Sequence, residues 1–166
     1  MKELTVQANL DNIAPVTEFI NAELEAANCC EDVRIQIDVA IDEIFGNIAK
    51  YAYDPEEGPV TLQTDVTGNP PVISITFIDR GMPYNPLDRK APDITLKAKE
   101  RRIGGLGIFI IKKTMDEISY EYRDGSNRLT IRKQIEKKIR DRTDGFFCPY
   151  NAETEGTEKW QGKIPL

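Results

Sequence analysis

The feature that most limits what this chain can become is an apolar stripe at helical spacing. Val33, Ile37, Ala40, Ile41, Ile44, Ile48 and Tyr51 recur three or four positions apart and line one face of a helix that begins near Glu31. Such a helix draws its stability from whatever covers its stripe, so the rest of the chain must supply a packing layer. Asp54-Pro55 ends it, because proline disfavours helix at the residue before it.

The flanking segments read as that layer. Residues 3–8 alternate apolar and polar as a half-buried strand does, and Asn9 to Asp11 then offer capping residues. Ile13, Val16, Phe19, Ile20 and Leu24 follow at helical spacing, in a helix expected to end near Asn28. Strands are expected over Val60–Val66 and Val72–Ile78, the second the more apolar and therefore central in its sheet. A helix opening at Gly107 runs to about Met115, and strands Glu117–Arg123 and Asn127–Lys133 flank the turn Arg123-Asp124-Gly125-Ser126.

Between Asp79 and Gly105 the periodicity breaks around Gly81, Pro83, Pro86, Pro92 and the charged run Lys97–Arg102, as in a functional lid. The order β-α-α-β-β-lid-α-β-β predicts an α+β fold: a two-layer α/β sandwich whose mixed, mostly antiparallel sheet carries helices on one face. Residues 1–133 are expected to form the domain. Residues 134–166, with scattered aromatics and no sustained period, read as a C-terminal extension that is part helical near 134–142.

Charge and composition remove several classes of function. The net charge is −6, and residues 134–166 carry equal numbers of acidic and basic side chains, so all of it sits in residues 1–133. That leaves no basic surface of the kind nucleic-acid binding uses. No apolar run approaches the roughly 20 residues of a membrane span, and the opening residues show no charged-then-apolar leader, so the cytoplasm is the expected compartment. The chain has no histidine, which excludes Ser-His and Cys-His nucleophile pairs and leaves proton transfer to carboxylate, lysine, tyrosine or water. Cys29, Cys30 and Cys148 are expected to be reduced thiols in that compartment.

Three motifs stand out. Glu43 and Asn47, four apart, share a helix face beside the apolar stripe and offer hard oxygen donors suited to Mg²⁺; alone, such a pair is also what a solvated helix face shows. Asp79-Arg80-Gly81 follows the most apolar strand. A carboxylate there can accept from an exocyclic amine such as adenine's, and Gly81 lets a planar ring approach the backbone; a plain strand exit looks the same. Gly104-Gly105-Leu106-Gly107 leads into a helix, where bare amides and the helix dipole favour phosphate, with Arg101 and Arg102 upstream to add charge. It is neither a P-loop nor a dinucleotide fingerprint, because no Gly-Lys-Ser/Thr follows and no βαβ unit surrounds it.

In this order, with a lid between the last two, the motifs resemble those of the GHKL (Bergerat-fold) ATPase superfamily. Glu43 to Asn47 matches its N box, Asp79-x-Gly81 its G1 box and Gly105-x-Gly107 its G2 box. The short lid and Asp42-Glu43-x-x-x-Asn47-x-x-x-Tyr51-Ala52-Tyr53 are most similar to the anti-sigma-factor serine/threonine kinases. Many relatives carry His-Gly where this chain has Tyr51-Ala52, a departure at that corner.

The resemblance covers roughly residues 3–133. It implies ATP and Mg²⁺ as cofactors, Glu43 as general base, Asn47 as the Mg²⁺ ligand and Asp79 as the adenine reader. It also implies nucleotide contacts from Lys50, Gly81, Pro83, Arg101, Arg102, Gly104, Gly105, Leu106, Gly107 and Ile108. The implied activity is phosphorylation of an anti-sigma-factor antagonist, with a sigma factor as second partner and a homodimer as the assembly. The alternatives are a non-catalytic module that binds ATP and clamps a protein partner, the detached ATP-binding half of a histidine kinase, and a structural protein without a ligand.

Overall fold

The computed structural model describes residues 1–88, 106–136, 139–141 and 145–147. Five strands form one sheet in the order β1-β2-β3-β5-β4: β1 (Lys2–Gln7), β2 (Pro59–Thr67), β3 (Val72–Asp79), β4 (Glu117–Arg123) and β5 (Ser126–Gln134). Every ladder among them is antiparallel, so the sheet is purely antiparallel among the described residues rather than mixed. The apolar β3 takes the central place that its sequence predicts. Helices α1 (Ile13–Ala26), α2 (Glu31–Tyr51) and α3 (Leu106–Thr114) pack together, with α2 touching both others.

The strand alternation divides the sheet into two chemically different faces. Val60 and Leu62, Ile73, Ile75 and Phe77, and Leu129 and Ile131 are buried with the helix stripes in a single core. The intervening residues are polar: Thr5 and Thr61 hydroxyls meet at 2.8 Å, and those of Thr76 and Thr130 at 2.9 Å. A one-residue slip in register would exchange the two sets, so the apolar face fixes the pairing.

Local chemistry explains the ends of the elements. Asn28 closes α1 in a left-handed conformation (φ 57°), with its N–H on Glu25 O and that of Cys29 on Leu24 O, the Schellman pattern. Asp124 and Gly125 both have positive φ, 53° and 71°, as the two-residue hairpin between β4 and β5 requires. The α2 stripe is buried from Val33 through Ile44, but Tyr51 is 61 % exposed, because the last turn of α2 borders a cavity instead of the sheet.

Two further expectations are overturned. Residues 134–136 do not begin a helix, and Ile139–Asp141 is a strand (β6) paired with Gly145–Phe147 (β7). The backbone groups a helix would use are committed elsewhere. Gln134 N donates to Asp116 Oδ2 at 2.6 Å, Ile135 N to Pro71 O at 2.8 Å, and Glu136 O accepts from Cys30 N at 2.7 Å. Ile135 joins the core at 2 % exposure.

The cysteines are not all reduced thiols either, since Cys30 at the N-cap of α2 is disulfide-bonded. Redox state follows from which sulfurs the fold brings within bonding distance, and composition does not carry that. Cys29 is a buried thiol whose Sγ lies 3.4 Å from Cys30 O. Cys148 lies outside the described residues, as do 89–105, which hold most of the expected lid.

Two substitutions test this packing. Phe77→Ala removes one of the largest fully buried side chains and should cost about 3–5 kcal/mol of unfolding free energy in a urea titration. A Cβ on Gly46, inside α2, meets nothing within 4 Å. Gly46→Ala should therefore stabilise by about 1 kcal/mol and raise Tm by roughly 3 °C, from the helix-interior cost of glycine.

Candidate functional site

The core strand β3 ends in a carboxylate. Asp79 continues the inward-facing series Ile73, Ile75, Phe77 and is only 5 % exposed. Burial pushes its carboxyl above the usual carboxylate range, against two hydrogen bonds that favour the ionised form. Asn127 Nδ2, opposite it on β5, donates to Oδ1 at 2.8 Å, and Gly81 N donates to the same oxygen at 2.9 Å. Both bonds fall on Oδ1, which leaves Oδ2 to the cavity that Asp79 lines.

That cavity holds about 390 Å³ between the C-terminal half of α2, the start of α3 and the ends of β3–β5. Its walls are mainly apolar, with Ile44, Ile48, Met82, Pro83, Ile108 and Leu129 among them, and Asp79, Asn127, Asn47 and Tyr120 as polar points. A mainly apolar cavity with a buried carboxylate acceptor suits a purine ring.

The turn after β3 is held against the end of α2. A Cβ on Gly81 would stand 2.2 Å from Ala52 O, and Met82 N donates to that same oxygen at 2.8 Å. Only glycine allows this approach. The Tyr53 hydroxyl donates to Pro59 O at 2.6 Å and accepts from Arg80 N at 2.8 Å, while burial raises its pKa. Tyr53 thus fastens the turn from the other side.

On α2, Asn47 Nδ2 donates to Glu43 Oε1 at 2.8 Å, as residues four apart on one helix face can. The Glu43 carboxylate reaches over Gly107 in the first turn of α3. A Cβ there would lie 2.0 Å from Glu43 Cδ. The missing side chain at Gly107 therefore makes room for Glu43, at a helix N-terminus whose dipole favours negative charge.

Of the residues singled out in the sequence, Asn47, Asp79, Pro83 and Ile108 line the cavity, and Glu43 is bonded to Asn47. Gly81 and Gly107 are the close-approach points. Leu106 is exposed at the start of α3, and Lys50 is exposed and outside the cavity wall. Arg101, Arg102, Gly104 and Gly105 lie outside the described residues.

Sequence reading missed Asn127 and Tyr120. Asn127 is 6 % exposed, and its Oδ1 accepts from the Tyr120 hydroxyl at 2.7 Å and from Tyr84 N at 3.1 Å. The available signal was an amide in an otherwise apolar inward series, Asn127-x-Leu129-x-Ile131.

No group of three or more Asp, Glu, Cys or His side chains able to hold a metal occurs among the described residues. Asn47 Oδ1 is a lone hard donor beside the cavity. That fits Mg²⁺, which keeps several waters and takes the remaining ligands from substrate phosphates. No helix among the described residues is long and apolar enough to cross a membrane.

A family model described as a histidine kinase-like ATPase domain matches residues 6–133. The serine/threonine-protein kinase BtrW of Bordetella bronchiseptica is 26% identical over 99 residues, 60% of this chain and 69% of that protein. The serine-protein kinase RsbW of Listeria monocytogenes serovar 1/2a is 28% identical over 116 residues, 67% of this chain and 70% of its own length, and that of Listeria innocua 27% over the same coverage.

The electrostatics of Asp79 carry a stability prediction. Its raised pKa means the folded state holds this proton more tightly than the unfolded chain, so the charge weakens the fold as pH rises through that window. Asp79→Asn keeps an acceptor for Gly81 and Asn127 without burying a charge. It should resist urea better than the parent near neutral pH, with the margin shrinking as pH falls through the range in which the parent carboxyl takes up its proton. A margin constant with pH would contradict the assignment.

Proposed function

The chain belongs to the histidine kinase-like ATPase domain family, within the GHKL superfamily, and is similar to protein kinases named for serine and threonine. From that premise we propose that it is an ATP-dependent serine/threonine protein kinase whose cavity takes the adenine of Mg-ATP. The observation that carries this reading is the pairing of a buried, amide-held Asp79 on the cavity floor with the bonded Glu43–Asn47 pair on α2 at the α3 N-terminus.

In this reading Oδ2 of Asp79 accepts from the exocyclic amine of adenine, while Met82, Pro83 and Ile108 sandwich the ring. Asn47 Oδ1 would hold Mg²⁺, which would supply neutralisation of the negative charge on the phosphates. Glu43 orients a Ser or Thr hydroxyl of the protein substrate and takes its proton as the γ-phosphoryl group of ATP is transferred to the oxygen. Asn47 Nδ2, on one Glu43 oxygen at 2.8 Å, leaves the other for that proton. Arg101, Arg102, Gly104 and Gly105 complete the phosphate side, Lys50 adds a cation at the rim, and Leu106 and Gly107 present the first amides of α3. Residues 1–133 carry this catalytic unit and 134–166 extend it, with Gln134 completing β5 and Ile135 joining the core.

Two relatives are named serine-protein kinases and a third a serine/threonine-protein kinase, which supports protein hydroxyls as acceptors. We extend this to an anti-sigma-factor antagonist as substrate, a sigma factor as the sequestered partner and a homodimer as the working form, in the cytoplasm and in control of transcription. Glu43 favours this reading over a module that binds ATP only to clamp a partner, because such a module needs no base.

Incubating the protein with γ-³²P-ATP, Mg²⁺ and an extract of its own cells tests the assignment. Acid-stable label should appear on a Ser or Thr. Glu43→Ala should lower transfer by about a hundredfold or more while leaving Mg-ATP affinity within about threefold. Transfer at the parent's rate in Glu43→Ala would exclude Glu43 as the base.

A further inference from the structure

Resting on the nucleotide reading above, we propose that Asn127 is the positioning residue that decides which oxygen of Asp79 meets the purine, with Tyr120 fixing Asn127 in turn.

The network leaves the Asn127 amide one orientation. Tyr84 N, 3.1 Å away, is a backbone N–H and can only donate, so the atom facing it is the oxygen Oδ1. The Tyr120 hydroxyl donates to that same oxygen at 2.7 Å. The amide nitrogen is thereby turned the other way, to Asp79 Oδ1 at 2.8 Å and to Met82 O at 3.1 Å. With Gly81 N also on Asp79 Oδ1, that oxygen has both its donors and Oδ2 alone remains for a ligand. An ionised carboxylate only accepts, so the remaining oxygen selects a ligand that donates, such as an exocyclic amine, over one that presents a carbonyl.

Asn127 also holds the cavity wall. Its bonds to Met82 O and Tyr84 N fasten the segment after β3, and Met82 and Tyr84 both line the cavity. One buried amide therefore sets the acceptor and the wall together, and its register partner is Asp79 itself. A leucine would fill this position as well as the apolar residues at 129 and 131 do but could supply none of these bonds.

Among the described residues, the titratable groups that face Asp79 are phenols: Tyr53 on the segment after α2 and Tyr120 on β4, both pushed up by burial and hence neutral near pH 7. Arg80 acts on Tyr53, and α3 contributes the apolar Ile108. A pH profile of nucleotide binding around neutrality therefore reports the Asp79–residue 127 pair.

The test is calorimetric titration with Mg-ATP from about pH 8 down to about pH 6 on the parent, Asn127→Asp and Tyr120→Phe. Asn127→Asp keeps the shape but sets two carboxyls against one another, so one proton must be shared before a donor faces Asp79 Oδ1. Its ATP affinity should be about tenfold below the parent's at the alkaline end and should rise as pH falls. The parent's should not rise over the same range, because protonating Asp79 could only remove an acceptor. A purely structural defect would weaken binding without reversing the slope. Asn127→Asp with the parent's slope and affinity overturns the proposal.

Tyr120→Phe, which keeps the ring and loses only the hydroxyl, should bind about three- to fivefold more weakly with the parent's slope. If Asn127→Asp does not fold, this variant decides, and unchanged affinity overturns the proposal. A parent that binds no Mg-ATP at millimolar concentration instead removes the nucleotide reading on which the proposal rests.

Discussion

A carboxylate has been placed where the core would otherwise end in another apolar residue, and much of the rest of the site follows from accommodating it. Asp79 sits one step beyond Phe77 on the inward face of the central strand, and burial there opposes its charge. Stabilising the charge takes a donor from the neighbouring strand, Asn127, and a backbone donor from a tight turn, Gly81. The turn can close only because Gly81 lets the chain pass against Ala52 at the end of α2. Fold and site are thus coupled: the sheet register that pairs Asp79 with Asn127 is the same register that buries Ile75 and Ile131.

Helix α2 has two roles for a related reason. Its first half is core, and its last turns leave the sheet and become the wall of the cavity. Glu43 and Asn47 fall at the changeover, close enough to the core to be held and open enough to reach a substrate. The contact of Glu43 with Gly107 ties this wall to α3, so movement at the N-terminus of α3 would be felt directly at the carboxylate. The proposed phosphoryl transfer needs no histidine: a carboxylate, two amides, a magnesium-bound substrate and a helix N-terminus would cover it.

The regular elements were legible because their periods were clean. The alternation in β1 to β5, the stripes of α1 and α2, and the Asp124-Gly125 turn each appear within a residue or two of where the sequence puts them. What failed was information that is not local. The segment after β5 has helix-compatible residues, yet its backbone is taken by Pro71, Asp116 and Cys30, distant partners that no window shows. The bonding of Cys30 likewise depends on spatial neighbours. Within the site, the motif residues stand out by spacing, whereas Asn127 and Tyr120 belong to strands read for their alternation, and only the ladder brings them to Asp79.

In the proposed site, Asp79 Oδ2, left open by Asn127 and Gly81, reads the exocyclic amine of a purine. Calorimetric titration of the parent protein with Mg-ATP and then with the magnesium complex of purine riboside triphosphate addresses this most directly, because the two nucleotides differ only in that amine. Mg-ATP should bind at least about tenfold more tightly, the usual scale for a lost hydrogen bond to a buried charged group. Equal affinity for the two nucleotides, or no binding of either at millimolar concentration, would contradict the account.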